Sequence, residues 1–170
     1  MSYISRQPRR ARISNIDYLD RYEYIGLRHL VTQGCIFDRQ LLYDKFPNQL
    51  LPFDFDTYFQ HAEGFEMVTT NCLTGHAMYL SETHDKQRAL DIVRASSSLP
   101  YVSKIVNVDG IPMLDGGIAD SIPVQHAIDM GYEHNVVILT RNKGWRDHGK
   151  DRKIPYLYKN YPRLRVALSH

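Results

Sequence analysis

At 170 residues the chain has the length of one domain, enough to bury roughly 70% of the surface it exposes when unfolded. A composition of 43% hydrophobic and 24% charged residues without low-complexity tracts excludes a disordered or fibrous chain, and apolar runs of only four or five residues exclude a spanning helix. The net charge of +2 hides an asymmetry: residues 1–12 hold four Arg and no acid, residues 141–170 hold nine Lys or Arg against two Asp, and the eight basic and seventeen acidic residues between them leave the body at −9 against ends of +11. Basic ends suit an anionic lipid surface or nucleic acid, but docking on acidic parts of the same protein, or on parts beyond these residues, accounts for them better.

Residues 1–14 read as the tail of an earlier element, with Tyr3 and Ile4 passing directly into Arg-rich sequence and no apolar signal-peptide stretch. Over residues 16–30, Leu19, Tyr22, Ile25, Gly26 and Leu30 follow a helical stripe that Gly34 would stop. Asp38 is placed to cap a short helix through Leu41, Leu42 and Phe46, closed by Pro47, and Asp54 or Asp56 to cap another carrying Phe55, Tyr58 and Phe59. The pattern then changes. Residues 65–70 and 77–80 read as two strands, and Thr83 or Asp85 opens a helix with Ala89, Ile92, Val93 and Ser96 on one face, ended by Pro100. Residues 105–108 and 111–114 flank Asp109-Gly110, a two-residue hairpin turn. Asp120, Ser121 and Pro123 announce a helix that runs to Gly131. Residues 136–139, Val-Val-Ile-Leu, form the continuous apolar run of a strand covered on both faces. Residues 154–168 are a tyrosine-rich amphipathic stretch, broken by Pro155 and Pro162, expected to dock on its own protein. Helices alternating with strands imply a layered α/β fold.

The segment with most chemical content is Leu114-Asp115-Gly116-Gly117. It places a carboxylate at a strand end, where α/β folds bind ligands, followed by two residues without side chains that leave the space beside it open. An isolated Asp-Gly-Gly also suits a structural aspartate that holds its own loop.

The flanking sequence favours chemistry. Ala95-Ser96-Ser97-Ser98-Leu99-Pro100, then Asp115-Gly116-Gly117-Ile118-Ala119-Asp120-Ser121-Ile122-Pro123-Val124, a helix to Gly131 and the 136–140 run together resemble the C-terminal half of the patatin-like phospholipase family. Residues 65–80, with Thr70-Asn71 and Thr74-Gly75, are similar to its mid-domain strand pair, and Ser2-Tyr3-Ile4-Ser5-Arg6-Gln7 and Asn15-Ile16-Asp17-Tyr18 to the segment after its nucleophile helix. The resemblance implies a three-layer α/β/α hydrolase fold over residues 1–170, incomplete here. Its N-terminal strands and C-terminal extension are missing, about 1–14 being the tail of the nucleophile helix and a linker and about 141–170 the start of the extension.

It also implies a Ser–Asp dyad that hydrolyses lipid acyl esters without metal or organic cofactor, in a cytoplasmic protein that touches the inner face of the membrane. Only Asp115 carries over as a catalytic residue, the general base, with Gly116 and Gly117 shaping its loop. No Gly-x-Ser-x-Gly and no Gly-Gly-Gly loop occurs in the 170 residues, so the nucleophile and the oxyanion donors are expected from sequence that precedes Met1. The chain alone is then expected to be inactive. The competing reading is a non-catalytic remnant that binds lipid surfaces or another protein.

Other candidates are weaker. Ser96, Ser97 and Ser98 lie at a helix end without the glycines that expose a nucleophile, so helix termination accounts for them better. His76, His84, His126 and His134 are scattered singly, with no metal-ligand pairing. Cys35 and Cys72 suit two buried thiols of a cytoplasmic protein, or one disulfide of an exported one. Tyr156, Tyr158 and Tyr161 with nearby Lys and Arg mimic a nucleic-acid surface, but no nucleic-acid partner is expected.

Overall fold

The computed structural model describes residues 6–18, 25–142, 144–145 and 158–169. Its centre is an antiparallel sheet of β1 (Met67–Asn71), β2 (Ala77–Leu80), β3 (Val106–Val108) and β4 (Ile111–Asp115), in the order β2-β1-β4-β3. Two hairpins build it. Asn71 folds the first, its Oδ1 accepting from the N–H of Leu73 at 2.8 Å. Asp109 and Gly110 turn the second at φ +54° and +79°, the paired left-handed geometry expected of Asp-Gly. The pairs Thr69–Asp115, Thr70–Leu114 and Asn71–Met113 join the hairpins and bring the end of β4 against the middle of β1.

Alternation along the strands gives the sheet two apolar faces. On one, Met67, Val106, Val108 and Met113 pack against Ile92 and Ala95 of the helix α4 (Lys86–Ser96). Leu114, next to Met113, points the other way and packs with Cys72, Tyr158, Leu164 and Leu168. The last three belong to or flank the helix α6 (Pro162–Ala167), so the described part of the tyrosine-rich stretch docks on its own protein. Tyr156 lies outside the described residues. Helix, sheet, helix is the three-layer α/β arrangement expected.

Side-chain caps act where the sequence places them. Asp54 accepts from the Thr57 N–H at 2.9 Å at the start of α3 (Phe55–His61), and Asp85 from the Arg88 N–H at 2.9 Å at the start of α4. Arg88 also ties α4 to the second hairpin through Asp109 and to Glu82, both at 2.8 Å. Cys35 and Cys72 are free and buried, and burial pushes the Cys72 thiol up to about 12.

Four expectations need correction or qualification. The helical stripe of residues 16–30 is broken: a helix α1 (Pro8–Arg12) runs into a wide turn at Ile13–Asp17, and α2 (Leu27–Gln33) begins only at Leu27, with Leu19 and Tyr22 outside the described residues. Gly34 stops α2 in the left-handed conformation, as expected. The helix capped by Asp38 continues through Pro47 as the wide helix Leu41–Leu50. Its looser bonding, with the Leu51 N–H reaching Phe46 O at 2.9 Å, tolerates a residue that has no N–H to give. Residues 136–139 form no strand and stand 46–92% exposed, because no neighbouring strand among the described residues offers them a ladder. Finally, Pro123, not Asp120 or Ser121, precedes α5 (Val124–Asp129), with no side-chain cap.

Candidate active site

Asp115 is the last residue of β4, and backbone geometry fixes it. Its N–H donates to Ser98 O at 3.0 Å, and its carbonyl accepts from Thr70 Oγ1 at 2.8 Å. The two glycines have separate tasks. A Cβ on Gly116 would stand 2.4 Å from the Val68 carbonyl oxygen, so only glycine lets the turn close over β1. Gly117 turns its N–H back onto Asp115 Oδ1 at 2.7 Å. Oδ2 receives no hydrogen bond from the described residues.

Electrostatically the carboxylate suits a base. Burial disfavours its charge and raises its pKa above the ordinary carboxylate value, and the Gly117 N–H offsets only part of that. It opens into a cleft of about 440 Å³ with apolar walls from Leu99, Pro100, Tyr101, Ile118 and Leu168. Tyr101 holds φ +72°, a left-handed conformation costly for an aromatic residue, and its N–H is anchored on Tyr158 Oη at 2.8 Å. A larger groove of about 620 Å³ lies between residues 41–50 and α4, away from Asp115, and holds no comparable carboxylate at a strand end.

A network beneath the loop has no signature in the sequence. Tyr79 donates to Asp120 Oδ2 at 2.6 Å, and this bond, chiefly, holds the tyrosine up at about 12. His126 stacks on Tyr79 with centroids 3.5 Å apart and bonds Glu66 Oε2 at 2.7 Å. Asp120 also donates its N–H to Gly116 O at 2.9 Å, so the network reaches the glycine turn. Asp120 therefore braces β2 against the loop and does not begin a helix. A carboxylate three residues past the motif has no periodicity to reveal a partner forty-one residues away.

The local serines are engaged in helix termination. Ser97 Oγ donates to Val93 O at 2.7 Å and Ser98 Oγ to Arg94 O at 2.6 Å. No cluster among the described residues could hold a metal ion. No helix among them is long and apolar enough to cross a membrane.

Compared with known sequences, residues 1–128 match the family described as patatin-like phospholipase, a stretch that includes Asp115, Gly116 and Gly117. The chain is also 33% identical over 143 residues to the Escherichia coli (strain K12) protein called "Uncharacterized protein YjjU". That match covers 82% of this chain and 39% of the relative, so the chain spans well under half of the relative's length.

Proposed function

Because the chain belongs to the patatin-like phospholipase family, we propose that it contributes the base of a Ser–Asp dyad, Asp115, to the hydrolysis of a lipid acyl ester. The observation that carries this reading is a partly buried carboxylate at a strand end, its pKa raised by burial, opening into a mixed cleft in which Leu99, Tyr101, Ile118 and Leu168 stand among polar groups.

A serine hydroxyl attacks an ester carbonyl only if its proton has somewhere to go. In the proposed cycle Asp115 takes that proton as the serine–acyl bond forms, and returns it to the departing alcohol. It then takes a proton from the water that cleaves the acyl-serine, releasing the acid and restoring the hydroxyl. A carboxylate near its ordinary pKa of 3.8 is a weak base, so the upward shift favours the first transfer. The apolar side chains of Leu99, Pro100, Ile118 and Leu168 give an acyl chain a partial wall, and the chemistry needs no metal or organic cofactor. The serine and the oxyanion donors belong to sequence outside these 170 residues, which contain no Gly-x-Ser-x-Gly.

The test is hydrolysis of a short-chain nitrophenyl ester. The 170-residue chain should match a heat-killed control. The polypeptide extended by its own upstream coding sequence should encode the elbow and turn over ester, and Asp115→Asn in it should lower kcat by about a hundred- to ten-thousandfold. Near-normal turnover by that variant rejects the dyad. Turnover by the 170-residue chain that disappears with Ser97→Ala would place the nucleophile at Ser97 instead.

A further inference from the structure

Tyr101 occupies a backbone conformation that its side chain makes costly. Its turn runs from Leu99 to Ser103 and is closed by the Ser103 N–H, which donates to Leu99 O at 3.1 Å. Pro100 fixes the entry, and Tyr101 follows at φ +72°, where glycine or asparagine is the ordinary occupant. A Cβ crowds the backbone there, and strain of this kind gathers at functional sites.

Folding gives the ring little to do. Tyr101 stays 38% exposed, and packing on Tyr158, with centroids 5.8 Å apart, covers only part of it. The bond that anchors the turn, from the Tyr101 N–H to Tyr158 Oη at 2.8 Å, needs only a backbone N–H, which any residue but proline supplies. What the ring does supply is a surface in the Asp115 cleft. It is the one aromatic side chain among the described residues that line it.

Among the described residues three segments line that cleft: the loop that begins at Asp115, residues 99–101, and Ala167 with Leu168 at the end of α6. Two hydrogen bonds join the second segment to the other two. The Asp115 N–H donates to Ser98 O at 3.0 Å, and the Tyr101 N–H reaches Tyr158, which is buried against Leu164 and Leu168. Polarity divides the same way. The carboxylate of Asp115 and the hydroxyl of Ser121 are both on the loop, whereas Leu99, Pro100 and Leu168 beside Tyr101 are apolar.

From this arrangement we infer that Tyr101 limits the length of the acyl group the cleft accepts, and that the Tyr158 hydroxyl is the positioning group that latches it. The inference rests on the acyl-ester reading and adds a selectivity to it. The ester belongs at the polar loop and its chain along the apolar segments, where the latched ring takes space that a longer chain would need.

The experiment compares kcat/KM for nitrophenyl octanoate and butyrate in the polypeptide extended by its upstream sequence. Tyr101→Gly suits the backbone and removes the ring, and should raise the octanoate-to-butyrate ratio at least about tenfold. Tyr158→Phe keeps the buried ring and removes the acceptor, and should raise it about threefold. Tyr43→Phe removes a hydroxyl bonded to Ser97 Oγ at 2.7 Å outside the cleft, and should leave the ratio as it is. In the 170-residue chain, without any chemistry, displacement of the neutral dye Nile red by methyl octanoate and methyl butanoate should shift in the same order. All variants are compared at unchanged circular dichroism, and Tyr101→Asn, which also accepts the left-handed conformation, replaces a Tyr101→Gly that does not fold. An extended polypeptide that turns nothing over rejects the dyad, and the displacement series then decides the wall by itself. The inference is overturned if loss of the Tyr101 ring leaves both ratios unchanged, or if Tyr43→Phe moves them as far as Tyr158→Phe. It is also overturned if Tyr158→Phe has no effect, or if neither hydrolysis nor displacement distinguishes the two chain lengths in any variant.

Discussion

Gly116→Ala isolates what the glycine turn requires. The added methyl would stand 2.4 Å from Val68 O and 2.6 Å from Val68 C, both backbone atoms of a paired strand. A carbon tolerates a carbonyl oxygen at about 3.3 Å, so the turn and β1 must part by roughly 0.9 Å. That opening falls where Thr69 pairs with Asp115 and Thr70 Oγ1 holds its carbonyl. Neither strand yields cheaply, which places the cost at the upper end of overpacking, about 3 kcal/mol. For a chain of this size that is a melting-temperature loss of about 6–12 °C. Gly110→Ala is the control with a different mechanism: φ is +79° but nothing lies within 4 Å of the new Cβ. It should cost only the left-handed backbone conformation, about 1 kcal/mol, or about 2–4 °C. Urea and thermal unfolding of the two variants, followed by circular dichroism, measure the difference. A Gly116→Ala protein as stable as the parent, or more stable than Gly110→Ala, would refute the close-approach argument.

Asp115→Asn should raise stability at neutral pH. A folded pKa above the unfolded one means a stabilising contribution present below the unfolded pKa and lost as pH rises through the folded one, so the ionised carboxylate opposes folding and the neutral amide does not. The urea midpoints of parent and variant should converge in acid, and a variant weaker than the parent at neutral pH would contradict the burial argument. Spectrophotometric titration should find Tyr79 ionising only near pH 12, beside Tyr58 and Tyr158, which burial also raises, and Asp120→Asn should return Tyr79 alone toward 10. The stabilisation from that bond is complete below pH 10 and disappears as pH rises through about 12, so the stability difference between parent and Asp120→Asn should vanish over the same interval. A titration unchanged by the substitution would remove Asp120 as the cause.

The legible parts of the sequence are those whose cause is local. Asp54 and Asp85 cap helices through an N–H three residues on, and Asp109-Gly110 turns a hairpin through its own φ angles, so a few letters contain both cause and effect. The motif at Asp115 shares this property in part: the N–H that returns to its carboxylate comes from Gly117 two residues on, whereas the close approach that demands Gly116 is to Val68 on β1. Asp120 misleads for the opposite reason. Near Ser121 and Pro123 it looks like a helix start, while its partner Tyr79 sits on a strand that only the fold brings alongside. Residues 136–139 fail in a third way. Val-Val-Ile-Leu states what surroundings would suit it, but the ladder and the covering layers must come from other chain segments, and the described residues provide neither. A carboxylate held by its backbone, in a loop braced by distant side chains, separates two properties of the site. Its position follows from the motif, while its rigidity and the shape of its cleft depend on Tyr79, Tyr101 and Tyr158, residues that substitution can vary without touching the motif. Under the proposed dyad, the reacting carboxylate would come from the motif read together with its flanking sequence, and selectivity among acyl esters would be sought in Tyr101 of the cleft wall and Tyr158 that anchors it.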